Sequence, residues 1–311
     1  MGSLLNINMS LDPEIINDIA IELGVDPAFV EKDWYAVQVL KSLATHQSDE
    51  ITTIFSGGTS LSKAHGLIQR FSEDLDFRCL YINESSGNKR KSIRRDYRAS
   101  ILTSVKGVDS ITLENDNVLA ASNYIKFPLA YPQNHSSHAS LRPHLEVEFS
   151  FTQPRLVPEL KPVQSLVSTF TNGKPEARIL CLSPIETGAD KISALTWRVL
   201  RRDRALEGDD PTMIRHLHDL AALKPLLIGN QDMFAGTALE SFEQDQQSGR
   251  RETDAGFYKS MEMALDALSS DSLYKTEYSQ FVDAMSYADD GERIDFSEAK
   301  DNFAELIALF K

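Results

Sequence analysis

The chain has 311 residues, 32 Lys+Arg against 46 Asp+Glu for a formal charge of −14, 41% hydrophobic residues and two cysteines, Cys79 and Cys181. That length and apolar content exclude disorder as the dominant state, and two cysteines cannot make a disulfide framework or a zinc-spaced cluster. The start lacks a signal sequence, no apolar run approaches the ~18 residues of a membrane helix, and the acidic balance argues against a generic nucleic-acid coat, so a soluble, cytoplasmic protein with no membrane role is expected.

Ser10, Asp12 and Pro13 form a helix start, with Ile15, Ile16, Ile19 and Leu23 at helical spacing before Gly24 stops it. A second helix is predicted from about Pro27 through Leu43. ITTIF, 51–55, is a β-branched run ending in Gly57-Gly58, which predicts a strand, a glycine turn and a helix beginning near Thr59. DLDFRCLYI, 74–82, alternates like a strand, and 88–106 has a helical pattern. SITLEND, NYIKFPLAY and HLEVEFSF follow as three further strands, the last alternating strictly. Pro154, Pro158 and Pro162 break the chain before a strand at RILCL, 178–182, and from Pro184 onward the pattern is mostly helical. The prediction is an α/β half with a mixed sheet over 1–183 and a helical domain over 184–311.

Charge is unevenly distributed along this chain. KRKSIRRDYR, 89–98, carries Arg94, Arg95 and Arg98 among six cations against Asp96 alone, and RVLRRDR adds Arg198, Arg201, Arg202 and Arg204. Acidic residues concentrate in 240–254 and 283–301. Charge runs are usually solvated helix faces, but basic tracks can also hold a phosphate backbone.

FSGGTSLSKAHGLIQRFSEDLDF, 55–77, carries the most chemistry. Gly57 and Gly58 permit close backbone approach to a ligand, the following helix start favours an anion, and Thr59, Ser60 and Ser62 add hydroxyls. Asp74 and Asp76, at i and i+2 on a strand, project from one face and are placed to share a divalent cation. HLEVEFSF offers a third carboxylate: Glu146 is expected on a water-facing side, and Glu148, beside the most apolar part of the run, is the preferred ligand. Three such carboxylates beside a helix start suit a two-metal centre for in-line attack on a nucleoside triphosphate, without a Walker motif. His216 and His218, two apart, lack the spacing of a zinc helix.

GGTSLSKAHGLIQRFSEDLDF resembles the first signature of the AbiEii/AbiGii-type nucleotidyltransferase toxins, within the DNA polymerase beta-like superfamily. EKDW at 31–34 resembles that family's N-terminal helix, LEVEF its second motif, LSPIETGADKISAL at 182–195 its third and RHLHDLAAL at 215–223 its fourth. The resemblance implies a nucleotidyltransferase core with a helical C-terminal region. It further implies that Gly57, Gly58 and Ser60 cradle phosphates and that Lys63 belongs to the nucleotide-side helix. Asp74 and Asp76 bind Mg2+, with Arg70 and Ser72 just before them; Lys191 contacts the triphosphate and Asp219 completes the centre. Ordinary alternatives exist for the last two, an exposed helix lysine and a surface pair between Asp219 and Arg215.

Such toxins belong to toxin–antitoxin or phage-defence pairs, so an antitoxin partner is implied, and some resemble transferases that extend the tRNA 3′ end. An RNA acceptor gives Arg94, Arg95, Arg98, Arg198 and Arg201 a purpose. Nucleotidylation of a protein side chain, a small nucleotide product, and a non-catalytic binding module are the alternatives at this stage.

Overall fold

The alternating runs assemble into one mixed sheet, described in a computed structural model that covers residues 12–46, 48–84, 86–113, 117–121, 123–135, 138, 140–247 and 255–311. Ser10, the 114–116 end of SITLEND and the 248–254 end of the acidic stretch lie outside these residues.

Two helices lead the chain, α1 (Pro13–Leu23) and α2 (Pro27–Thr45). Asp12 and Asp26 cap them by accepting from Glu14 N and Ala28 N, each at 2.9 Å, and Gly24 leaves α1 at φ 65°. Strand β1 (Ile51–Ser56) then passes directly into a short helix, α3 (Gly57–Lys63), two residues earlier than the pattern predicts. β2 (Asp74–Tyr81) and α4 (Gly87–Lys106) follow, and β3 (Thr112–Leu113), β4 (Leu119–Ala121), β5 (Tyr124–Ala130) and β6 (Leu145–Ser150) extend the sheet. β7 (Glu159–Val163) and β8 (Ala177–Cys181) complete it, flanking a short helix, α5 (Leu166–Phe170).

The strand order is β3-β5-β6-β2-β1-β8-β7, with β4 pairing only with β5. β2 lies at the centre, antiparallel to β1 and parallel to β6. β7, where prolines predict a break, is a strand after all: it pairs with β8 alone, and a sheet edge tolerates the missing N–H of Pro162.

After β8 the chain is helical: α6 (Pro184–Leu200), a 3-10 turn (Pro211–Ile214), α7 (Arg215–Gly229), α8 (Gln231–Gln247), α9 (Phe257–Ser270), α10 (Leu273–Met285) and α11 (Phe296–Ala308). Two hydrophobic cores result. One lies between a sheet face bearing Leu75, Phe77, Val147 and Phe149 and the buried stripe Ile93, Tyr97, Ile101 and Val105 of α4. The other is the interior of the helical half, and Ile16 and Ile19 of α1, Phe29 and Val30 of α2 and Leu61 of α3 pack into it. Helix α1 therefore joins the core of the segment that begins at 184, while α2 bridges both cores, its Val37, Leu40 and Leu43 packing with the sheet. Among the described residues no helix is long and apolar enough to cross a membrane.

Candidate active site

Side chains alternate along β2, so Leu75 and Phe77 enter the core while Asp74 and Asp76 face the other side. The parallel register sets Asp74 opposite Glu146 and Asp76 opposite Glu148. On the other flank Asp76 faces Ser56, immediately before the glycine turn. Gly57 adopts φ 74°, and a Cβ there would overlap the Asp76 carboxylate. A Cβ on Gly58 would stand 2.9 Å from both Arg70 Nη2 and Ser72 Oγ. Both glycines are thus required by close approach, and they bring the turn, Arg70, Ser72 and the carboxylates around one cavity of about 280 Å³.

Asp76 carries the electrostatic strain of this site. Removal from bulk water, then the charges of Asp74 and Glu148, push its pKa up to about 7, against the partial relief of Arg215 and Lys191. Asp74 pairs with Arg142 at 2.7 Å and approaches Arg215 at 4.0 Å. Glu148 pairs with Lys126 at 2.8 Å. Glu146, expected in water, is instead the more buried of the two glutamates: it lies 3.3 Å from Lys126 and 3.5 Å from His144, and its Oε1 has no partner. The register opposite Asp76, rather than apolar surroundings, is what brings Glu148 to the cavity.

Lys191 is buried and lines the same cavity, unlike an exposed helix lysine. Its amine lies 2.6 Å from Asp219. Asp219 is fully buried and also accepts two bonds from Arg70, at 2.6 and 2.7 Å. Burial disfavours this carboxylate's charge, but Arg70 and Lys191 outweigh burial and hold its pKa well below the usual range. Asp219 therefore stands behind Arg70 and Lys191 and aims them, and it makes no surface pair with Arg215.

Three expected nucleotide-side residues turn elsewhere. The Thr59 hydroxyl donates to Asp74 O at 2.5 Å, Ser60 is on the buried side of α3, and Lys63 pairs with Asp33 of α2. The Glu31-Lys32-Asp33 segment works as a pin: Lys32 binds Glu73 at 2.5 Å, and Glu31 accepts from Asn134 N at 3.1 Å. Of the second basic island, Arg202 is tied to Asp209 and Glu277 and Arg204 to Asp271 and Glu277. Arg198 pairs with Asp210 at 3.4 Å, and Arg201 is exposed. The first island lies on α4, across the sheet from Asp74 and Asp76. There Arg94 contacts the Tyr81 hydroxyl at 3.0 Å, Arg95 binds Asp96 at 3.0 Å, and Arg98 lines a separate groove.

Several residues reach the site without having been expected there: Arg78, Arg142, Arg215, His216 and Tyr124. Arg78 was legible in principle, two residues beyond Asp76 on the same face. It ties β2 to Glu186 and Asp190 of α6. Tyr124 arrives through the pairing of β5 with β6 and Arg142 from the loop that leads into β6, which no local pattern announces.

Asp74 and Asp76 are hard oxygen donors, and a divalent cation would offset the burial and the carboxylate repulsion that raise the Asp76 pKa. Among the described residues no group of three or more His, Cys, Asp or Glu would hold a metal by itself. Magnesium commonly takes only one or two carboxylates, completing its shell with water and substrate phosphates, so the donor set fits a cation that arrives with a nucleotide.

A mixed sheet with paired carboxylates beside a glycine turn, faced by the buried cations Arg70 and Lys191, defines the architecture of a nucleotidyltransferase. The fold matches that of MenT4, a nucleotidyltransferase toxin from Mycobacterium tuberculosis H37Rv, with a TM-score of 0.64 and 16% identity over 97% of this chain and 90% of that chain. The profile of the family described as nucleotidyl transferase AbiEii toxin, type IV toxin–antitoxin system, matches residues 38–303. The chain belongs to this family and is a nucleotidyltransferase toxin, for which the family implies a nucleoside triphosphate substrate and an antitoxin partner. The match starts after EKDW and runs well beyond RHLHDLAAL into the last helix. No curated protein matches the chain.

Proposed function

We propose that this toxin transfers a nucleotide from a nucleoside triphosphate to an RNA acceptor, such as the tRNA 3′ end, with magnesium and in the cytoplasm. One observation carries the proposal: Asp74 and Asp76 share a cavity with the Gly57-Gly58 turn and with the cations Arg70 and Lys191. Carboxylates for a metal and cations for phosphate thus meet at one place. Gly57 and Gly58 admit the phosphates to the backbone, Ser72 and Arg70 line their path, and Lys191, held by Asp219, neutralises their charge. Magnesium, held by Asp74 and Asp76 with Glu148 alongside, would supply further charge neutralisation. The acceptor hydroxyl attacks the α-phosphorus, the α–β phosphoanhydride bond breaks, and pyrophosphate leaves. A second cavity of about 480 Å³ shares Arg70, Ser72, Asp74 and Arg215, and its Leu141, Phe281 and Met285 offer an apolar wall for the nucleoside. Arg94, Arg95 and Arg98, with Arg198 and Arg201, serve as RNA contacts away from the reacting end.

A protein acceptor is the second possibility, favoured by the position of α4 on the far face of the sheet. Incubation with each α-labelled nucleoside triphosphate, magnesium, total RNA and cell lysate separates the two. The expected result is label in RNA, lost with Asp76→Ala; label confined to protein supports the second possibility, and no label with any nucleotide sinks both.

A further inference from the structure

His216 stands in the first turn of α7 and lines the smaller cavity with Lys191, Ala194 and Arg215. Both of its ring nitrogens are buried, and neither has a hydrogen-bond partner. Buried polar groups are paired in the great majority of folded proteins, so unused donors and acceptors in a cavity wall mark a place where a ligand completes the bonding.

The charges around the ring specify the ligand. Burial, then Lys191, Arg215 and Arg198, hold the His216 pKa well below 6.5, with Asp219 opposing them. The ring is therefore neutral at physiological pH and keeps one N–H to donate. The carboxylates close to these cations are already engaged: Asp219 serves both Arg70 and Lys191, and Asp210 binds Arg198. Lys191 and Arg215 thus set positive charge beside His216 in the same cavity as Asp74 and Asp76. A ligand that suits both sets has its reacting phosphorus at the carboxylates and further negative charge for the cations and the ring N–H.

We propose that His216 is a polyphosphate-contacting residue of the donor cavity, donating its ring N–H to an oxygen of the nucleoside triphosphate beyond the α-phosphate. This rests on the nucleotide assignment of the cavity and adds a neutral donor to the charged set, at a residue outside the expected site. A neutral donor holds pyrophosphate without the strong attraction that a further cation would exert on the departing product.

Equilibrium binding to the full chain tests it, using the nucleoside triphosphate that labels best, its monophosphate and inorganic pyrophosphate. His216→Ala is expected to weaken the triphosphate and pyrophosphate about tenfold or more, the size expected for a hydrogen bond to a charged group, and to change monophosphate binding by less than about twofold. In turnover, KM for the triphosphate rises while kcat stays within about threefold. His216→Leu keeps bulk while losing both nitrogens, and carries the same expectation should the alanine variant fold poorly. Unchanged triphosphate affinity in a folded variant, or an equal loss for the monophosphate, overturns the proposal. Wild-type protein that binds no triphosphate overturns the nucleotide assignment itself, an outcome separate from the first two.

Discussion

Asp76 shares its sheet face with Asp74 on β2 and Glu148 on β6, and the cations Arg215 and Lys191 offset this crowding only in part. A carboxyl whose folded pKa is raised contributes stability that is full below the ordinary carboxylate range and lost as pH rises through the folded value, here about 7. Metal-free Asp76→Asn is therefore expected to melt above metal-free wild type at pH 8, by roughly 3–8 °C, with the gap closing as pH falls towards 4. Thermal unfolding in the presence of a chelator checks this, and a gap that is constant with pH refutes the assignment. The facing of Asp74 and Asp76 was legible because strand alternation is a local property. The pairing of Lys63 with Asp33 was not, because a lysine at the end of a short helix takes whichever carboxylate the fold delivers. Gly57 and Gly58 lie between: sequence suggests close approach, and the structure shows that Asp76, Arg70 and Ser72 make the approach.

The scale of elements separates the two basic islands. The stripe Ile93, Tyr97, Ile101 and Val105 turns one side of α4 into the sheet and leaves Arg95 and Arg98 on the outer sides of the helix, remote from the carboxylates. The triple variant Arg94→Glu, Arg95→Glu, Arg98→Glu is expected to lower transfer to RNA at least tenfold, steeply dependent on salt, while nucleoside triphosphate affinity stays the same. Comparing RNA labelling with nucleotide binding on one preparation decides it: equal loss of both would place α4 at the donor cavity. RVLRRDR looked like a second track, yet Arg202 and Arg204 are consumed by Asp209, Asp271 and Glu277. A run of arginines signals a surface only when distant acids do not fold onto it. The same limit applied to β7, since proline content describes the strand's own donors and says nothing of its place at an edge.

Across the whole molecule, the site exists only where the two halves meet. Arg70 precedes β2, Lys191 comes from α6 and Asp219 from α7, and all three are buried together. Arg78 with Glu186 and Asp190 forms a second tie across the same junction. Asp219→Ala strands two buried cations without their carboxylate, which is expected to cost about 3–5 kcal/mol. Because α2 packs Phe29 and Val30 into the helical core and Val37, Leu40 and Leu43 into the sheet core, urea unfolding should remain one transition that shifts to lower midpoint; two resolved transitions would show that the halves fold independently.

Local patterns thus determined the succession of elements apart from β4, β7 and α5, the shared face of Asp74 and Asp76, and the glycine turn that opens beside them. These depend on alternation, helical spacing and glycine's backbone freedom, which act over a few residues. The mean charge of −14 averages basic helix faces with acidic stretches and internal ion pairs, so it describes no single surface of the protein. Tertiary structure alone decided which cations face the carboxylates, that Asp219 lies behind them, that α4 occupies the opposite side of the sheet, and that His216 faces the cavity unpartnered. Each is a matter of which distant side chains share a buried volume, where an ion pair or an unused donor is settled by packing across the sheet and not by neighbours along the chain.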